Sequence, residues 1–294
     1  MKFELVINSL AMRKLIITTI LCASTFTALA QVNEDIDTDF RARMSVELDK
    51  RIVRGLHIGL SEEFRLKDNL TSVDRFYTTL GLSYKFCPYF KAGISYTLMN
   101  LHKFDSDADR WGWDLRHRAS LDLIGSYRVG NVKFNLRERF QLTHRTGEMN
   151  VYQNPRNAFV LRSRLKVSYD FANRPVEPYF SVELRNTLNA VHYSAPEYTA
   201  VPGDNISYND VYINRVRLQP GIEWKLDSRN SFDFYILADY VYEKDIDASK
   251  SGNLKKYKDE SGNVITDISG NPVYCIFYQP AWNFSLGVAY KYAF

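Results

Sequence analysis

From Tyr274 to Phe294 the even-numbered positions are almost all apolar or aromatic: Tyr274, Ile276, Tyr278, Trp282, Phe284, Leu286, Val288, Tyr290, Tyr292 and Phe294. The odd positions in the second half of this run are Ser285, Gly287, Ala289, Lys291 and Ala293. A period of two is that of a β-strand, whose side chains alternate between faces. Here one face suits hydrocarbon and the other is small or polar, as in the closing strand of a transmembrane barrel. An aromatic C-terminus is what barrel-insertion machinery is expected to engage, so Tyr290, Tyr292 and Phe294 are the candidate assembly signal.

The same alternation recurs upstream. Leu56, Ile58, Leu60, Phe64 and Leu66 oppose His57, Ser61, Glu63 and Arg65; Phe134, Leu136, Phe140 and Leu142 oppose Lys133, Arg137 and Arg139. Comparable runs start near Phe40, Phe76, Phe90, Trp111, Phe159, Phe180, Tyr212 and Phe232. A soluble β-sandwich also alternates, but two features favour a barrel. The runs are ten or more residues long, where soluble strands have about five or six. Aromatics also gather at the ends of the apolar faces, as in Tyr84 with Phe86 and Trp111 with Trp113, matching interfacial girdles. The pattern predicts an all-β fold, a transmembrane antiparallel β-barrel over residues 36–294.

Turn-forming residues place short connections near Lys50 to Gly55, Cys87 to Tyr89, Ser126 to Asn131, Ala172 to Pro175 and Asp227 to Asn230. Longer ones run through 67–74, 100–110, 143–157, 187–209 and 244–272. Short connections are expected in the periplasm and long ones outside. Eleven strands are obvious, whereas single-chain bacterial barrels use even numbers. The expectation is therefore about 12 strands, with 10 as the alternative, the missing strand falling near Val32 to Thr38 or within 245–272.

The start of the chain reads as an export signal. Met12 is the expected true start, Arg13 and Lys14 form the positive region, Leu15 to Leu21 the apolar core, and Ala28-Leu29-Ala30 the cleavage site. Residues 1–30 are thus a signal peptide and 31–35 a short N-terminal segment. Leu21 is too bulky to precede a lipidated Cys22 comfortably, and the Ala-x-Ala site competes with it. Cleavage removes Lys2, Arg13, Lys14 and Glu4, taking the formal net charge from +4 to +2. That balance predicts no nucleic-acid partner. Localisation in a bacterial outer membrane follows, with lipid, lipopolysaccharide and the insertion machinery as partners. Cys87 and Cys275 would remain, and a disulfide between them needs a proximity that sequence does not give.

Candidate chemistry concentrates on the polar faces. Arg116, Arg118, Arg137, Arg139, Arg162 and Arg164 fall on the inner faces of three consecutive strands, a basic ladder that would enrich small anions in an open lumen. Glu63, Asp114, Asp122, Glu183, Glu223, Asp233 and Asp239 share that interior, so paired charges closing a narrow barrel are the competing reading. Glu62 and Glu138 interrupt the outward apolar face, which predicts a place near the extracellular rim or at a β-bulge. No catalytic residue, cofactor or metal site is predicted. The histidines are scattered, no Gly-x-Ser-x-Gly element is present, and Asp105-Ser106-Asp107-Ala108-Asp109 lacks the glycine and distal glutamate of a calcium loop. His117 lies on the outward face of one strand, where a lipid hydrolase could place its base, and Ser163 on the outward face of another.

The spacing of Leu60-Ser61-Glu62-Glu63-Phe64-Arg65, Asp74-Arg75-Phe76 and Gly81-Leu82-Ser83-Tyr84-Lys85, with the arginine-rich strands Trp113-Asp114-Leu115-Arg116-His117-Arg118 and Val160-Leu161-Arg162-Ser163-Arg164-Leu165, resembles the DUF2490 family of outer-membrane β-barrels from Bacteroidetes and Proteobacteria. The resemblance implies a porin-like outer-membrane barrel and brings no activity or catalytic residue. A narrow passive channel with weak anion preference is the first functional expectation; a sealed structural or ligand-presenting barrel acting through its extracellular loops is the alternative.

Overall fold

The computed structural model describes residues 36–105, 110–172, 174–193, 206–249, 253–256, 258–259, 261–266, 268–274 and 276–294. The signal peptide expected over 1–30 and the segment 31–35 lie outside the described residues, as do Cys275 and residues 106–109. Cys87 is exposed.

Eleven strands are present among the described residues: β1 (Asp37–Val53), β2 (Leu56–Lys67), β3 (Ser72–Cys87), β4 (Phe90–Asp105), β5 (Arg110–Val129), β6 (Val132–Arg145), β7 (Asn157–Tyr169), β8 (Val176–Tyr193), β9 (Ile206–Lys225), β10 (Asn230–Ile246) and β11 (Ile276–Ala293). Each pairs antiparallel with the next, and β11 returns to β1 to close a barrel. The count falls between the twelve and ten that parity suggests. Ten successive reversals leave β11 running in the same direction as β1, so the seam is parallel. The Phe294 amide donates to the Asp49 carbonyl across it at 2.8 Å, near the ends of both strands. Between the end of β10 at Ile246 and residue 272 the described residues make only isolated bridges, among them Ala248 with Leu254 and Lys258 with Val264, so no twelfth wall strand forms there among the described residues.

One end of the barrel carries the short turns. Gly55 and Gly130 take φ of +86° and +57°, the left-handed conformation such reversals require. In the β9–β10 turn the Asp227 carboxylate accepts the amides of Arg229 (2.7 Å) and Asn230 (2.8 Å). These bonds hold its pKa below the usual carboxylate value. The connection expected over 67–74 is shorter than the sequence suggests, because β2 runs to Lys67 and β3 begins at Ser72. Its residues Asp68, Asn69 and Leu70 all have positive φ, at 53°, 54° and 70°. Asp39 on β1 pins the turn by accepting the Asn69 amide at 2.9 Å.

Burial is inverted relative to a water-soluble protein. Ile94 is 59% and Leu80 51% exposed on the outer face, while Asp239 is 1% exposed inside. Outer aromatics pack in clusters at both ends of the wall: Phe64, Phe76 and Trp113 at one, Tyr84, Phe86 and Phe90 at the other. Inside, tyrosine and glycine alternate along one row of register partners, Tyr179, Gly221, Tyr235 and Gly287. The Tyr179 ring fills the space where a Gly221 Cβ would stand, 2.4 Å from its Cζ, and Tyr235 does the same at Gly287, 2.1 Å away. Only glycine fits beneath these rings.

Two outcomes follow. Leu70 is not a residue that adopts the left-handed region cheaply, so Leu70→Gly should raise stability by about 1 kcal/mol, read as a higher urea midpoint in detergent. Deleting Tyr292 to Phe294 removes the Asp49 contact and the Tyr292–Phe294 ring pair, centroids 4.6 Å apart. Heat-modifiable protein in outer-membrane fractions should fall sharply on deletion, whereas Lys291→Ala, which alters only the inner face, should leave assembly near normal.

Candidate functional site

The antiparallel register brings the predicted ladder together inside the barrel. Arg137 stands directly opposite Arg164 and Arg139 directly opposite Arg162 on β6 and β7. The row continues from Arg162 to Arg185 on β8 and from Arg185 to Arg215 on β9. Four consecutive strands thus place guanidinium beside guanidinium. Like charges directly opposite destabilise a sheet, and carboxylates must offset them.

Two buried carboxylates carry most of that load. Glu183 on β8 accepts Arg137 at 2.8 Å, Arg162 at 2.6 and 3.0 Å, and Arg217 at 3.4 Å. Asp239 on β10 accepts both Nε and Nη2 of Arg217, at 2.6 and 2.9 Å, and Arg43 from β1 at 3.2 Å. Asp122 takes Arg139 through two oxygens at 2.5 and 2.7 Å. Such bidentate, charge-assisted bonds are the strong class. Single contacts of the same carboxylates, Arg137 to Glu183 and Arg43 to Asp239, tie together non-adjacent strands: β6 to β8 and, across the seam, β1 to β10.

The remaining predicted partners lie on the same face. Asp114 holds Arg116 at 2.5 Å, Glu63 holds Arg65, Glu223 lies 3.8 Å from Lys166, and Asp233 accepts the Tyr179 hydroxyl at 2.9 Å and Lys291 at 3.4 Å. Arg118 has no carboxylate partner among the described residues. Its Nε donates to Thr143 at 3.0 Å and its guanidinium stands 5.7 Å from the Tyr77 ring centre. Arg65 lies 4.6 Å from the same ring, and Arg75 donates to the Tyr77 hydroxyl at 3.1 Å. Arg164 holds neither a hydrogen bond nor an ion pair among the described residues, and its Nε is shut off from solvent without a partner.

The ladder therefore extends further than its six predicted members. Arg43, Arg65, Arg75, Arg185, Arg215 and Arg217 belong to the same interior, and Arg43, Arg65 and Arg75 form a second run of directly opposed arginines. Alternation places each on the polar face; only the register shows that they abut.

The outward groups resolve differently from expectation. Glu62 accepts the Thr78 hydroxyl at 2.9 Å and Glu138 the Ser163 hydroxyl at 2.6 Å. Neither lies at a register shift. Glu138 sits midway along β6, among the outward side chains of Leu123, Leu136 and Phe140 rather than at a rim. A hydroxyl donated from the next strand is what satisfies each carboxyl there. His117 is engaged by the Tyr96 hydroxyl at 2.5 Å, and Ser163 donates to Glu138, so each has its own partner. An apolar hollow of about 560 Å³ occupies the outer face around Leu80, Tyr96, Ala119, Leu121 and Leu142.

At the long-connection end, Val191, Ile246 and Ala248 form a small apolar core with Tyr152, Ile206 and Leu254. Asn150 donates to the Ala248 carbonyl at 2.7 Å and Tyr208 to that of Val151 at 2.9 Å. Parts of the connections after β6 and β10 thus pack together above β8 and β9.

The molecule is thus a closed barrel with an apolar exterior and an arginine-rich interior. The family model described as "Protein of unknown function (DUF2490)" matches residues 40–250. The chain belongs to the DUF2490 family. No curated protein and no solved structure matches it. The match runs from within β1 past the end of β10, and with the fold it gives an outer-membrane-type β-barrel.

Glu183→Gln removes the charge on which three arginines of this DUF2490 barrel converge, so it should cost about 3–5 kcal/mol of folding stability. Glu138→Gln, on the outer face, should be neutral or stabilising, since a charge at mid-wall is disfavoured against lipid. Urea titration of both variants in the same detergent, followed by the gel-mobility shift, checks the contrast.

Proposed function

We propose that this DUF2490 barrel resides in a bacterial outer membrane, short turns toward the periplasm and long connections outward, and acts as a narrow passive channel with weak preference for small anions. The observation that carries the reading is the row Arg139, Arg162, Arg185 and Arg215, four cations in direct register on the inner wall. Cations fixed along a confined wall raise the local anion concentration. The carboxylates of Asp122, Glu183 and Asp239 offset part of that charge, which keeps the preference weak. Eleven strands at about 4.8 Å spacing and roughly 40° tilt enclose a backbone cylinder about 22 Å across. Long side chains from facing walls occupy most of that width, so any path is narrow.

A second reading has its own support. The ion pairs that bridge non-adjacent strands, together with the apolar core shared by the long connections, suit a sealed barrel that presents a folded outer surface to a ligand.

Planar-bilayer recording separates the two. The channel reading expects discrete conductance steps whose anion bias disappears when Arg139, Arg162 and Arg215 are replaced together by glutamine. Absence of any current from heat-modifiable, folded protein would leave the sealed reading standing.

A further inference from the structure

We propose that the tile formed by Arg137, Arg139, Arg162 and Arg164 is a discrete binding site for a doubly charged tetrahedral oxyanion of the phosphate and sulfate class. The inference rests on the anion-channel reading and sharpens it from a diffuse bias to one occupied position.

Four guanidinium groups stand in two directly opposed pairs on β6 and β7, and the carboxylates that reach them are Asp122, on Arg139, and Glu183, shared by Arg137 and Arg162. Four positive charges against two negative ones leave a surplus of two. Glu183 is further drawn on by Arg217 at 3.4 Å, so it cannot make up the difference. A buried surplus of this kind is costly unless a counter-charge meets it.

Geometry then shows which groups stand ready. Arg164 has no hydrogen bond or ion pair among the described residues, and the Nε atoms of Arg137 and Arg164 are both shut off from solvent with no partner. Arg137 uses Nη2 on Glu183, which leaves its Nε free on the side chain facing Arg164. Unused donors thus stand on two directly opposed side chains. Planar guanidinium forks match the oxygen spacing of phosphate and sulfate and bind them through paired bonds. A dianion cancels the surplus of two, where a monovalent ion cancels half of it.

Arg164 also makes the test clean. Because it takes part in none of the ion pairs, Arg164→Gln leaves Asp122 and Glu183 with all their partners. Arg128→Gln, at the short-turn end, where exposed Arg128 pairs with Asp170 at 2.5 Å, removes the same charge away from the tile. The full mature barrel, folded in detergent and verified by heat-modifiable migration, is titrated with inorganic phosphate in chloride-poor buffer by calorimetry and by ³¹P line broadening. The expected result is saturable binding to one site, unchanged in Arg128→Gln and weakened tenfold or more in Arg164→Gln, about the loss of one charge-assisted hydrogen bond. Equal phosphate affinity in wild type and Arg164→Gln, or no saturable binding by wild type, overturns the proposal. If Arg164→Gln does not fold, Arg164→Lys replaces it, keeping the charge and losing the fork: a several-fold loss supports the site and unchanged affinity overturns it. Bilayer recording keeps this outcome apart from that of the channel reading. Saturable phosphate binding without current retains the site and removes the channel, whereas current unaffected by phosphate in a barrel that binds none retains the channel and removes the site.

Discussion

A sheet that leaves any edge unpaired cannot stand in hydrocarbon, because each unbonded amide or carbonyl there costs several kcal/mol. Closure is therefore the condition on which everything else in this barrel rests, and an odd number of strands makes it unusual. Ten joints are antiparallel and the eleventh, between β1 and β11, is parallel. Parallel pairing is slightly weaker per residue. The seam is reinforced from within by Arg43 on β1, which reaches past β11 to Asp239 on β10 at 3.2 Å, and at its end by Lys50, whose ammonium stands 5.8 Å from the centre of the Phe294 ring.

The interior follows from a second constraint. With the wall apolar outside, the polar half of every strand is turned inward, and here that half is rich in arginine. The carboxylates are fewer, and two of them serve several cations: Glu183 and Asp239 both sit at the convergence of arginines from different strands. The result is a cross-braced lumen in which electrostatics performs the packing that leucine and valine perform in a water-soluble core.

Much of this was legible in the sequence, for physical reasons. Strict alternation fixed which side of the wall Arg137, Arg162 or Glu183 would occupy, and the closing run ending in Phe294 marked itself by contrast with Ser285 and Gly287. What alternation cannot give is the offset between strands. That Arg139, Arg162, Arg185 and Arg215 abut, that Tyr179 covers Gly221, and that Arg164 alone among the predicted ladder has no hydrogen bond or ion pair among the described residues all depend on register. The strand number was obscured for another reason. The eleven periodic runs were visible, but parity argued for a twelfth, and a parallel seam is the arrangement that makes the argument unnecessary. Glu62 and Glu138 misled because a lone carboxyl on an apolar outer face looks like a register error until the hydroxyls of Thr78 and Ser163 are found beside it.

The odd strand count also fixes where the wall begins and ends. Asp37 opens β1 at the rim of the long connections, beside the Asp68 to Thr71 turn, whereas β11 finishes at the opposite rim beside Asp49. In an even barrel the first and last wall residues share a rim, and a few added residues can join them and open the chain elsewhere. Here such a link would have to run the full height of the wall. The barrel therefore cannot be circularly permuted with a short linker, and its order of strands is fixed in a way that an even-stranded barrel's is not.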